Sequence, residues 1–299
     1  MKDIPQYKEW IKSEQINKGW SNDKKYYIET QSGENLLLRL SDVSEYDKKQ
    51  AEYDAIKKLD NFDIFMSRPL AFGICNNGKS VYSILSWLDG EDAEKVLPAL
   101  SEKEQYKLGI KSGQILRQIH SIPAPVNQTP WSERFNRKID RKIEGYKNCG
   151  IKISDDYKII NYIEKNRYLL QNRPQCFQHG DYHVGNMIIN AERNLGIIDF
   201  NRFDYGDPWE EFNRIVWTAC VSKYFASGQI NGYFEKDIPD EFFSLMALYI
   251  ASNQLSSIYW AIPFGKAEVD IMLKQSRDLL DYYDGMTNTI PKWYIGGLE

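Results

Sequence analysis

The sequence predicts an α+β protein of two lobes, a small β-rich lobe over residues 1–88 and a larger helical lobe over residues 89–299. Three observations point there. Strand-like apolar runs separated by turn signals fill most of the first 88 residues. Helical periodicity dominates from residue 101 onward, and the stretch 176–208 breaks it with short apolar runs around acidic and amide residues.

In the first lobe, Tyr26 to Ile28 and Leu36 to Leu40 flank the turn Gln31 to Glu34, which reads as a hairpin. Residues 45–59 follow as a helix, with Ala51, Ala55, Ile56 and Leu59 on one face. Pro69 to Ile74 and Ser80 to Leu85 flank the turn Asn76 to Lys79, a second hairpin. Trp87 to Gly90 is the expected crossing between lobes. In the second lobe, Ser101 and Glu104 form a capping box that opens a helix running to His120. A loop with three prolines over 121–130, a Lys-rich helical stretch over 131–173, and helices over 241–260 and 266–283 complete the pattern.

Composition excludes several classes. The apolar fraction of 42% and charged fraction of 27% are those of a soluble globular chain. The amino terminus lacks the apolar core of a signal peptide, and no apolar run approaches the roughly 20 residues that span a bilayer. Cys75, Cys149, Cys176 and Cys220 show no metal-binding spacing, so idle thiols in a reducing cytoplasm are expected. Net charge is −4, distributed unevenly: 13 basic and 13 acidic side chains over 1–88, 17 and 14 over 89–194, 8 and 15 over 195–299. The acidic final third argues against nucleic acid and suits a cationic small molecule. A monomer without membrane or nucleic-acid partners is expected.

The chemistry concentrates in one segment. His179-Gly-Asp-Tyr-His-Val-Gly-Asn186 places Asp181 five residues before Asn186, and Ile198-Asp-Phe200 places Asp199 thirteen residues after that Asn. Phosphoryl transfer from a nucleotide needs such a set: a carboxylate to orient the attacking hydroxyl and take its proton, and an amide and a second carboxylate to hold Mg²⁺ on the phosphates. This pair of motifs, with Gly180 where protein kinases carry Arg, resembles the aminoglycoside phosphotransferase family of the protein-kinase-like fold. That superfamily also contains macrolide, choline, fructosamine and homoserine kinases. The resemblance runs from about Ile16 to Asp207.

The resemblance implies roles for further residues. Asp181 is the catalytic base, and Asn186 and Asp199 are the Mg²⁺ ligands. Arg39 takes the place of the third-strand Lys that holds nucleotide phosphates, a change that keeps charge but alters geometry, and Glu52 is its expected helix partner. Ser21, in the reduced loop Asn17 to Lys24, covers the phosphates. Ser86, Trp87 and Leu88 offer backbone groups to the purine of ATP or GTP. Asp207, in the segment Asp204-Tyr-Gly-Asp-Pro208, ties its loop to the catalytic one. His183, Asp204, Glu210 and Glu211 are candidates for the acceptor side, although Glu210 and Glu211 also suit the start of a helix after Pro208. Tyr249, Asn253, Trp260 and Asp270 could complete an acceptor pocket or simply pack.

The expected activity is transfer of the γ-phosphoryl of ATP or GTP to a hydroxyl, with an aminoglycoside as leading acceptor. A housekeeping kinase of a sugar or amino alcohol uses the same constellation. A pseudokinase acting through a partner is disfavoured because Asp181, Asn186 and Asp199 are all present. Protein kinase activity is disfavoured because the interval from Asp199 to Asp207 leaves no room for a long activation segment.

Overall fold

The computed structural model describes residues 1–17, 22–235 and 237–298. The chain forms two compact units, Met1–Asp92 with Asn186–Phe203, and Ala93–Gly185 with Asp204–Glu299.

In the first unit, β1 (Trp10–Ile16), β2 (Lys24–Thr30), β3 (Asn35–Asp42), β4 (Pro69–Cys75) and β5 (Ser80–Ser86) form an antiparallel sheet in the order β1-β2-β3-β5-β4. Helix α1 (Tyr46–Lys57) connects β3 to β4. The β2–β3 turn closes through Gly33 at φ +84°, and the β4–β5 turn through Asn76, Asn77 and Gly78, all at positive φ, which these residue types tolerate. The period of two along β3 sets up the site. Leu36, Leu38 and Leu40 enter a core with Ile28, Tyr82 and Ile84. Arg39 and Ser41, one residue out of step, therefore lie on the other face.

Short strands β6 (Glu91–Asp92), β8 (Met187–Ile189) and β9 (Leu195–Ile197) form a second sheet of this unit, in the order β6-β8-β9. This departs from a simple boundary at residue 88. Segment 186–203 joins the first unit because β8 pairs with β6, Ile197 N–H donates to the Phe65 carbonyl at 2.9 Å, and Gly196 lies directly against Leu88 and Phe65. Asn186 and Asp199 thus belong to the unit that carries Arg39.

The second unit begins with the short helix α2 (Ala93–Val96) and α3 (Glu102–Ile119), which opens on the expected Ser101–Glu104 capping box. Helices α4 (Trp131–Asn148) and α5 (Asp156–Asn166) follow, then the strand pair β7 (Cys176–Gln178) and β10 (Asp204–Gly206), a 3₁₀ turn over Pro208–Arg214, and helices α6 (Ile215–Val221), α7 (Lys223–Phe234), α8 (Phe242–Ala261) and α9 (Lys266–Tyr282). Buried almost all round, α8 is the centre of this core. Helices α3 and α7 meet backbone to backbone. A Cβ at Gly113 would stand 2.1 Å from the Gln229 carbonyl oxygen, and one at Gly232 equally close, 2.1 Å, to that of Ile110. Only glycine allows this approach, which holds α3 rigidly behind the loop that follows β7.

Candidate active site

Arg39 is the hub of the first unit. Its guanidinium donates to Asp23 Oδ2 at 2.6 and 3.1 Å and to Asp199 Oδ1 at 3.2 Å. Lys49, from α1, donates to the same Asp23 oxygen at 3.0 Å, and Ser41 Oγ to the other at 2.7 Å. Burial opposes ionisation of Asp23, but Arg39, Ser41 and Lys49 outweigh it and hold its pKa down to about 2. Lys25 lies directly across the ladder from Arg39, and burial lowers its pKa, with Asp199 opposing that shift. The expected Arg39–Glu52 pair is corrected. Glu52 binds Lys49, at 2.9 Å, and Asp23 joins Lys49 to Arg39. The shorter reach of two carboxylates close to the strand, Asp23 and Asp199, takes the guanidinium that Glu52 was expected to hold.

Asp199 stands at the end of β9 with φ +69°, a conformation unusual outside glycine and concentrated at functional sites. Asn186 immediately precedes β8, and its carbonyl accepts from Ile198 N–H at 3.0 Å, so the ladder brings the two segments together one residue from Asp199. One carboxylate and one amide oxygen are hard donors that fit Mg²⁺, which keeps several waters and binds substrate phosphate rather than an all-protein cage. Zinc-type chemistry has no such support in this donor set.

Asp181 lies in the second unit on a loop fixed from every side. The Glu211 carboxylate accepts from the backbone N–H of Gly180 at 2.9 Å and of Tyr182 at 3.3 Å. His179 Nδ1 accepts from Asp181 N–H at 3.2 Å, and Thr218 Oγ1 from Val184 N–H at 3.2 Å. Tyr182, fully inside the core, donates to the Ser112 carbonyl of α3 at 2.8 Å. Gly180 has φ +82°, which explains glycine where protein kinases have Arg. Around the Asp181 carboxylate stand Arg214 Nη1 at 3.0 Å and His183 Nε2 at 3.6 Å, and the same Arg214 nitrogen donates to the Gly180 carbonyl at 2.9 Å. The His183 ring packs edge-on against Trp217.

The other expected residues fall out as follows. Ser21 lies outside the described residues. Ser86 N–H donates to Arg68 O at 2.8 Å and Trp87 N–H to Asn35 O at 3.0 Å, so those two donors are engaged within the sheet. Leu88 is buried. Asp204 is exposed and pairs with Arg134 at 3.2 Å. Glu210 and Glu211 are buried and are corrected as acceptor contacts: Glu210 pairs with Lys138 at 3.0 Å, and Glu211 holds the catalytic loop. Burial raises the pKa of Glu211, but the neighbouring His120 and His179 rings and the Gly180 N–H together bring it below the ordinary value. Asp207 is fully buried and accepts from Arg173 at 2.6 Å and from Tyr249 Oη at 2.6 Å, so it ties β10 to α8 rather than to the catalytic loop directly. Tyr249 is thereby a packing residue, Trp260 stacks on Phe264, and Asp270 pairs with Lys266.

Many acids of the last third are therefore held by local bases, Asp278 and Asp281 among them. Sequence reasoning missed Asp23 and Arg214 as site residues and gave Glu211 an acceptor role instead of a loop-holding one. An isolated acid before a strand carries no pattern, and charges in the first turns of a helix read as dipole partners.

Comparison with known proteins identifies the family and the fold. Residues 12–242 match the model of the phosphotransferase enzyme family. An aminoglycoside 3'-phosphotransferase of Niallia circulans is 23% identical over 209 residues, 67% of this chain and 76% of its own length. Among solved structures, a thermostable variant of aminoglycoside phosphotransferase APH(4)-Ia bound to AMP-PNP and hygromycin B superposes with a TM-score of 0.70 at 13% identity, covering 93% of this chain and 95% of the other. A GDP complex of aminoglycoside 2'-phosphotransferase IIIa gives a TM-score of 0.70 at 14% identity, covering 94% and 96%. These likenesses establish the two-lobed kinase-like fold.

Proposed function

The chain belongs to the phosphotransferase enzyme family, and we propose that it transfers the γ-phosphoryl group of ATP or GTP to a hydroxyl of a small polar acceptor. The observation that carries this reading is Asp181, a carboxylate held on a loop whose backbone is bound by Glu211, His179 and Thr218. Such a group orients the attacking hydroxyl and takes its proton late in the transfer. Arg39 and Lys49 exchange part of their hold on Asp23 for phosphate oxygens as the nucleotide binds. Asn186 and Asp199 would hold Mg²⁺, which would supply neutralisation of the phosphate charge. Catalysis is then positioning and electrostatics, with no covalent enzyme intermediate required.

An aminoglycoside is the first acceptor to test, because a curated relative is an aminoglycoside 3'-phosphotransferase. A metabolite kinase is the second reading. It is favoured by the local pairing of Asp204, Glu210 and Glu211, which removes three carboxylates a polycation would otherwise meet. The test is nucleotide consumption with Mg²⁺, ATP and GTP run separately, against aminoglycosides, macrolides and metabolite alcohols, with Asp181→Ala as control. Acceptor-dependent turnover that disappears in the variant supports the kinase. Turnover that persists in Asp181→Ala removes it.

A further inference from the structure

Three bases stand at four-residue intervals on one face of α4: Arg134, Lys138 and Lys142. Successive turns of the helix meet successive points of the segment that begins with β10. Arg134 reaches Asp204 and Lys138 reaches Glu210. Lys142 interacts electrostatically with Glu210 and with Arg214, the residue that touches Asp181 at 3.0 Å. Arg134 and Lys138 have carboxylate partners. Lys142, only 9% exposed, has none among the described residues and has only the distant Phe135 ring beneath it, 6.0 Å from its nitrogen.

Arg214 is paired with Asp181 but has a deficit of its own. Its Nη1 serves Gly180 and Asp181, but its Nε is buried without a hydrogen-bond partner. Arg214 thus carries a buried donor with nothing to receive it, and Lys142, with which it interacts electrostatically, is a largely buried cation without a carboxylate partner among the described residues. Leaving such groups unsatisfied is costly, and a fold retains them where a ligand completes them. An uncharged acceptor does not offset the charge, and a polycation is repelled by it.

We propose that the acceptor carries an anionic oxygen group, a carboxylate or a phosphate, which Lys142 and Arg214 bind while Asp181 orients the hydroxyl. This rests on the phosphotransferase reading above and narrows its acceptor to hydroxylated acids or phosphate esters. Burial, then repulsion from Lys138 and Arg214, partly countered by Glu210, pushes the Lys142 ammonium down to about 7, as expected of a cation awaiting its counter-ion.

The test uses the full-length protein saturated with Mg²⁺ and AMP-PNP, so that the nucleotide phosphates already occupy Arg39. Thermal shift is measured with glycerate, homoserine, glycerol 3-phosphate and glucose 6-phosphate, with neutral glycerol and glucose, and with kanamycin. Turnover is measured in parallel with ATP. At least one anionic compound is expected to bind, its neutral parent to bind at least about tenfold more weakly, and Lys142→Met to raise the KM for it about tenfold or more with a smaller change in kcat. Lys142→Arg should restore much of that loss. Lys142→Met should also melt higher by a few degrees, because it removes a buried charge, a gain that a merely structural lysine would not give. Hydroxy acids responding without sugar phosphates, or the reverse, identifies which anion is used. Binding of kanamycin alone, or an unchanged KM in Lys142→Met, overturns the proposal and leaves the kinase intact. Anion binding that needs Lys142 but yields no phosphorylated product keeps the anion site and breaks the kinase reading.

Discussion

The two units hold their charges in opposite ways. Around Arg39 and Lys49, carboxylates cover the bases: Asp23 binds both, Asp199 binds Arg39, and Glu52 binds Lys49. Around Arg214 and Lys142 the bases exceed their acids, since Glu210 is already taken by Lys138 and Lys142 has no carboxylate. The first arrangement keeps its bases paired until a polyanion displaces Asp23, which suits a nucleotide that comes and goes. The second stays unsatisfied until an anion arrives, which suits selection of one acceptor over another. A buried cation with a partner stabilises little, and one without a partner costs stability.

The comparison breaks first at Glu211. Replacing it by Ala leaves two backbone donors of the catalytic loop without an acceptor and removes the carboxylate 3.6 Å from His120, and unfolding stability should fall by about 3–5 kcal/mol in chemical denaturation. A loss below about 1 kcal/mol would show that the loop is not held from Glu211. Arg39→Ala should weaken Mg²⁺–nucleotide binding by about 10–100-fold in calorimetry, the effect of a lost charge-assisted bond, with Arg39→Lys between the two. Asp23→Asn sharpens the same point in the other direction. Freed of its competitor, Arg39 should bind nucleotide more tightly, by about threefold to tenfold, while the nucleotide-free protein loses about 1 kcal/mol or more of stability.

The smallest effect is on pH dependence. With Lys142 lowered to about 7, the unfolded chain binds the extra proton between about 7 and the ordinary lysine value of 10.5. Stability contributed at this position therefore rises with pH across that window, and the penalty is fully present below about 7. Lys138, Glu210 and Arg214 are the charged groups that face it. Melting curves of the wild type and Lys142→Met from pH 6 to 10 should converge as pH rises. Parallel curves would mean that Lys142 keeps its proton throughout.

Both hairpins of the first lobe, helix α1, the capping box of α3 and the limits of α8 and α9 were legible in the sequence, because alternation, turn residues and caps are local signals. The assignment of 186–203 to the first unit was not, since it depends on β8 pairing with β6 across almost a hundred residues. The α3–α7 crossing escaped for a similar reason. Gly109 and Gly113 read as weak helix residues until Gly228 and Gly232 are seen against them. In the site, Asp181, Asn186 and Asp199 stood out by spacing alone. Glu52 was misassigned because a side chain's choice between Arg39 and Lys49 depends on reach, and Glu211 because a buried loop anchor and a helix-dipole acid look alike in sequence.

The most direct test of the account is calorimetric binding of Mg²⁺–ATP to Asp181→Ala, set beside its turnover with the acceptor that the wild type uses best. If Asp181 acts on the hydroxyl while Arg39, Asn186 and Asp199 hold the nucleotide, the variant binds Mg²⁺–ATP within about twofold of wild type and turns over about 10²–10⁴-fold more slowly. A parallel loss of nucleotide binding, or turnover within a few-fold of wild type, contradicts that division of roles.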